Sequence, residues 1–144
     1  MSIDSERGHG TLYNPARYYQ PIDFSGIRIG NILPSDIDLI CECKEKFSVE
    51  FRNKAWIFIE LKYRSAIFTK GQDLTYTRLV DDLAKCGKPA ISIVAEHSVK
   101  DPKQTIAADQ CIVRQCYFDG VWRHPSKPRT LKDLINSFIA YINK

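Results

Sequence analysis

The chain has 144 residues, 44% of them hydrophobic and 26% charged, which fits one domain able to bury a core and excludes the disordered and fibrous classes. No run approaches the roughly 18 apolar residues of a membrane-spanning helix, and the opening MSIDSERGHG holds no apolar signal-peptide core. The net charge of +4 falls late: residues 1–98 carry 13 basic and 13 acidic side chains, whereas residues 99–144 carry 8 and 4.

Taken in chain order, residues 1–25 read as an irregular arm rich in Gly, Asn, Pro and Tyr. Ile27 and Ile29 flank Arg28 in a short strand closed by Gly30-Asn31. Pro34-Ser35 opens a second strand, Asp36 to about Cys43. Alternation puts Ile37, Leu39, Cys41 and Cys43 on one face, with Asp36, Asp38, Ile40 and Glu42 on the other. The charged segment from Lys44 to Lys54 is a hairpin connection to the strongest strand, Ala55 to Tyr63. There Ile57, Ile59, Leu61 and Tyr63 share one face, and Trp56, Phe58, Glu60 and Lys62 the other. Two mostly apolar faces describe a central strand covered on both sides.

The period then becomes helical. Gly71 to Cys86 carries Leu79, Val80 and Leu83 at helical spacing, and Gly87 with Lys88-Pro89 stops it. Ala90 to Ala95 is a short buried strand that follows a helix directly, as in a crossover connection. Cys111 to Phe118 is a further strand ending at Asp119-Gly120. Leu131, Leu134, Ile135, Phe138, Ile139 and Ile142 form one apolar stripe, so residues 131–143 are an amphipathic C-terminal helix capped by Thr130. Strands and helices in this order predict an α/β or α+β domain, one sheet flanked by helices, spanning 1–144 as a single unit.

Five cysteines with no CxxC spacing read as free, buried thiols of a cytoplasmic protein. His9, His97 and His124 are too scattered to complete a zinc site with them. From Arg123 through His124, Lys127, Arg129 and Lys132 no acid intervenes before Asp133. Beside Trp122, this basic stretch suits a phosphate backbone, with Arg123, Lys127 and Arg129 as the contacts; a solvated loop is the other reading. Trp122 is either a stacking surface for an unpaired base or a core aromatic.

One constellation carries chemistry. If the second and third strands pair, Asp38, Glu60 and Lys62 project from one face. Two carboxylates and the backbone oxygen of Leu61 form a hard-ligand set for Mg²⁺, and a lysine two residues on can hold an attacking water or steady charge on a phosphate. The chain holds three acid-x-Lys triplets, of which only Glu60-Leu61-Lys62 lies within an apolar strand. Burying such charges costs several kcal/mol unless they are paired or bind an ion. A purely structural Glu–Lys pair is the competing account.

Pro34-Ser35-Asp36-Ile37-Asp38-Leu39-Ile40 followed by Ile57-Phe58-Ile59-Glu60-Leu61-Lys62 resembles the PD-(D/E)XK nuclease superfamily. Gln72-Asp73-Leu74-Thr75-Tyr76 is similar to the QxxxY element of its RecB-type branch, Gln72 and Tyr76 lying four apart on one helix face. The resemblance implies a restriction-endonuclease-like core, a central mixed β-sheet with helices on both faces, here from about Ile27 to Ala95. It implies a nuclease using Mg²⁺ (or Mn²⁺) held by Asp38 and Glu60, with Lys62 aligning the water and Gln72 and Tyr76 as accessory residues. Asp36 occupies the P-x-D position, whereas Asp38 fits an aspartate followed by an apolar pair; Asp38 is preferred. The glutamate that the family's first helix often supplies has no counterpart, since Pro15 to Gln20 contains no acid. The cysteine set of iron–sulfur relatives is missing too. The implied substrate is nucleic acid, DNA before RNA, and a homodimer would suit cleavage of two strands. A non-catalytic nucleic-acid-binding or regulatory protein that keeps the fold is the alternative, with a subunit of a larger nuclease as a third.

Overall fold

The structure, a computed structural model, describes Gly26 and residues 37–43 and 55–144. Contacts divide the chain after Pro34, and every element below belongs to the unit that follows. Asp36, the strand expected at Ile27–Ile29 and the connection from Lys44 to Lys54 lie outside the described residues.

The elements run β1 (Leu39–Cys43), β2 (Ala55–Tyr63), α1 (Lys70–Lys85), β3 (Ala90–His97), a 3₁₀ turn (Ala108–Gln110), β4 (Ile112–Phe118), β5 (Val121–Arg123) and α2 (Leu131–Ile142). They form a five-stranded mixed sheet in the order β1-β2-β3-β4-β5. β1 lies antiparallel to β2, Leu39 opposite Ile59 through Cys43 opposite Ala55. β2 runs parallel to β3 from Trp56 opposite Ala90 to Tyr63 opposite His97. Parallel neighbours need a crossover, and α1 supplies it. The remaining pairs are antiparallel.

β2 is an inner strand covered on both faces, each of them apolar and rich in the β-branched and aromatic residues that suit a pleated surface. Phe58 packs with Tyr76, Val80, Ala90 and Tyr117 on the α1 side. Ile57 and Ile59 pack with Ile91, Ile93, Leu131, Leu134 and Phe138 on the α2 side. The α/β class, with one helix on each face, is thus as the residue pattern predicted. α1 starts at a capping box, in which Thr69 accepts from the Gln72 amide and the Gln72 side chain accepts from the Thr69 amide. α2 starts as expected, with Thr130 accepting from Asp133 N.

Four details differ from the sequence reading. β5 replaces part of the expected basic loop: Asp119 (φ 53°) and Gly120 (φ 78°) make a two-residue turn with both central φ values positive, which folds Trp122 and Arg123 back against β4. β3 runs two residues further, to His97. The strand before the hairpin starts only at Leu39; the bend at Asp38 breaks the alternation, so Ile37 packs on the α1 side whereas Leu39 and Cys43 pack on the α2 side. Finally, the five thiols are free, but only Cys111 and Cys116 are buried, while Cys41 and Cys86 are exposed.

β4 also carries one extra residue. Val94 pairs with Gln115 and its neighbour Ala95 with Val113, leaving Arg114 as a bulge. Among the described residues no helix is long and apolar enough to cross a membrane.

Candidate active site

Glu60 and Lys62 leave β2 on the α1 side, and their side chains are only 6% and 13% exposed. Lys62 Nζ lies 3.1 Å from Glu60 Oε1. The first turns of α1 close over this pair. Gln72 Nε2 donates to Glu60 Oε1 at 2.9 Å, and Gln72 Oε1 accepts from Lys62 Nζ at 2.9 Å. Tyr76, one turn further on, donates its hydroxyl to Glu60 Oε2 at 2.7 Å. Gln72 and Tyr76, four apart on one face of α1, therefore both reach the strand-borne acid.

Gln72 does two jobs at once. The same Oε1 that meets Lys62 also accepts the Thr69 amide at 3.2 Å to complete the helix cap. The start of α1 and the charge pair on β2 are thereby one hydrogen-bonded unit. Charge-assisted bonds of this kind are stronger than neutral ones, and they satisfy ions that burial would otherwise penalise.

Asp38 joins from the neighbouring strand. It is exposed at the bend before β1, and its Oδ2 accepts from Leu61 N at 2.8 Å. The bond sets its carboxylate against the backbone between Glu60 and Lys62. Asp38, Glu60, Leu61 and Lys62 are thus brought together, whereas Asp36 lies outside the described residues. Among those residues no group of three His, Cys, Asp or Glu side chains gathers. An ion here would take two carboxylates, a backbone oxygen and water, which is the oxygen chemistry that Mg²⁺ prefers. The donor types suit such an ion, and binding it would compete with the hydrogen bonds that both Glu60 oxygens already accept.

Four of the five thiols show no sign of activation as nucleophiles. Burial pushes Cys41, Cys43, Cys111 and Cys116 up from the ordinary thiol range, opposite to the lowering that activates a cysteine.

The basic stretch lies elsewhere. Arg123 is the pairing partner of Cys116, which packs on the α2 side, and its guanidinium donates to Phe118 O at 2.6 Å and lies over the Phe118 ring. Arg129 donates to Ser137 Oγ at 2.6 Å and to Asp133 O at 3.1 Å, across the start of α2. Lys127 is exposed between them. Arg123 therefore sits on the face of the sheet opposite Glu60 and Lys62. Trp122 is a core-edge aromatic: it packs on Phe68 and Tyr117, and its Nε1 donates to Asp73 Oδ1 at 2.9 Å.

Two polar residues that sequence reasoning passed over border the site. Glu96 is the parallel-register partner of Lys62 on β3. Arg114, in the β4 bulge, donates to Glu96 Oε1 at 2.6 Å. A charged residue inside the apolar run Ile112–Phe118 was the available signal for Arg114; the bulge that aims it left no mark in the residue pattern. Comparison of the chain with family models, with curated proteins and with solved structures gives no match.

Proposed function

We propose that this protein is a Mg²⁺-dependent nuclease of the PD-(D/E)XK kind, with a restriction-endonuclease-like core, hydrolysing phosphodiester bonds of nucleic acid, DNA before RNA. One observation carries the reading: an acid and a lysine two residues apart on an inner strand form a nearly buried pair, and an exposed second carboxylate, at the bend before the adjacent strand, bonds to the backbone amide between them. Asp38, Glu60 and the Leu61 carbonyl would hold the ion, which when bound supplies Lewis-acid stabilisation of the phosphate. Lys62 would hold the attacking water and meet the negative charge that builds on the phosphoryl oxygens. Gln72 and Tyr76 fix the Glu60 carboxylate, so that little reorganisation is needed as charge develops.

A second reading has an observation of its own. Both Glu60 oxygens already accept hydrogen bonds from this chain, and a closed buried network of that kind also suits a structural pair. Such a protein would bind nucleic acid without cutting it.

Mn²⁺ titration followed by thermal unfolding separates the two. A ligand of the native state at a hundredfold excess over Kd stabilises by about 2.7 kcal/mol, several degrees of Tm in a domain this size. The nuclease reading expects that rise in wild type, its loss in Asp38→Ala and a smaller effect of Asp36→Ala. Equal shifts in wild type and Asp38→Ala would sink the assignment. Lys62→Ala should then abolish cleavage while leaving nucleic-acid binding nearly intact, because its charge is needed most in the transition state.

A further inference from the structure

We propose that Arg114 is a positioning residue for the Glu60–Lys62 site: its guanidinium locks the connection between β2 and α1, and that lock presents Gln72 to both charges. Nε donates to Glu96 Oε1 at 2.6 Å, Nη1 to Ala66 O at 2.8 Å and Nη2 to Arg64 O at 2.7 Å. One side chain from β4 thus grips the intervening strand β3 and two carbonyls of the segment that leaves β2.

The segment has little slack. Arg64 adopts a left-handed backbone (φ 47°), which a non-glycine residue holds only where its surroundings over-determine it. Here both of its backbone groups are tied: Arg64 N donates to His97 O at 2.7 Å, and its carbonyl accepts from Arg114. Four residues separate Arg64 from the helix cap at Thr69. Phe68, just before the cap, packs on Tyr76 and Trp122. Fixing the carbonyls of Arg64 and Ala66 therefore fixes where α1 begins, and with it Gln72. The bulge is what aims Arg114, since a bulge redirects one side chain from the regular pleat. The chemistry is specific to arginine. A planar fork can reach a carboxylate and two carbonyls together, whereas a lysine presents a single point of charge.

The importance of this lock for turnover rests on the nuclease reading; the lock itself is read without turnover. In NMR spectra of the full chain, the Gln72 side-chain amide, whose Nε2 donates to Glu60 while its Oε1 accepts from Thr69 N, should give proton signals away from free-amide positions that exchange slowly. Arg114→Lys keeps the charge facing Glu96 and removes the fork. It should return the Gln72 pair to free-amide positions, speed backbone amide exchange over residues 66–72 by about tenfold, and weaken the Mn²⁺-induced rise in Tm. Glu96→Gln removes the ionic anchor and leaves both carbonyls bonded, so it should give a smaller acceleration over the same residues. A folded Arg114→Lys protein that keeps the Gln72 signature overturns the proposal. If that variant fails to fold, unchanged exchange in Glu96→Gln overturns it. A wild-type protein without any Mn²⁺ response would remove the metal reading alone, and the Gln72 signature would still decide the lock.

Discussion

The Tyr76 hydroxyl donates to Glu60 Oε2 at 2.7 Å and approaches Ile59 O at 3.3 Å, with only 1% of Tyr76 exposed. A buried tyrosine whose one polar atom meets a buried carboxylate is a joint between helix and sheet as well as part of a site. Tyr76→Phe keeps the ring and removes the donor, leaving the acid short of a partner. The expected loss is about 1–3 kcal/mol, since an unsatisfied buried group retains its desolvation cost. Urea unfolding of the two proteins measures it; equal midpoints would mean that Glu60 finds another donor.

Lys62 and Glu60 should behave as a pair toward stability. Lys62→Met preserves the aliphatic stem and leaves Glu60 buried without its cation, an arrangement that costs about 3–5 kcal/mol when a partner of a buried pair is removed. Adding Glu60→Gln should restore most of that loss, because the double variant buries no charge. A double-mutant cycle in urea reads the coupling. Additive effects would show that the two side chains act independently despite their 3.1 Å approach.

Tyr117 gives a prediction in pH. Its hydroxyl donates to Asp81 Oδ1 at 2.9 Å and Oδ2 at 3.0 Å, and burial, reinforced by the Asp81 carboxylate, pushes it up from the ordinary tyrosine range. A folded-state value above the unfolded one contributes stability that is fully present below about pH 10 and is lost as pH rises through the folded value. The stability gap between wild type and Tyr117→Phe should therefore shrink as pH passes about 10. Unfolding midpoints across that range test this, and a constant gap would contradict it.

The basic stretch is tested by salt. Replacing Arg123, Lys127 and Arg129 together should weaken binding to every nucleic-acid sequence alike and flatten the dependence of log Kd on log salt, since fewer counterions are released. Fluorescence anisotropy at several salt concentrations reads the slope. An unchanged slope would move the binding surface to Arg64, Lys70 and Arg78, which surround the end of β2 and the start of α1.

Much of this was legible in the residues. β2 announced itself because both of its faces are apolar, and that same property made Glu60 and Lys62 conspicuous. Gln72 and Tyr76 were singled out by the resemblance to a QxxxY element, and their four-residue spacing, which a helix converts directly into a shared face, allowed both to overhang the strand. What stayed hidden was set by backbone departures from ideal periods. Ile37 changed faces because a bend at Asp38 interrupts the pleat. β5 was not expected although Asp119-Gly120 is a strong hairpin signal; the strand has only three residues and is followed by a charged, Pro-containing stretch, so its own pattern is short. Gln72's cap to Thr69, a local T-x-x-Q spacing, starts α1 one residue before the expected Gly71, and its contact with Glu60 depended on where α1 docks.

The bulge in β4 has a consequence for chain length. Removing one residue from a strand ordinarily turns every side chain beyond it to the opposite face. Here Val113 pairs with Ala95 and Gln115 with Val94, so the residues on either side of Arg114 already occupy successive rungs of the ladder. A chain lacking Arg114 would turn no side chain around: Val113 and Cys116 would still face α2, and Tyr117 would still face α1. β4 therefore contains a position that the sheet can dispense with, and a single-residue deletion there should leave the core intact while freeing the carbonyls of Arg64 and Ala66.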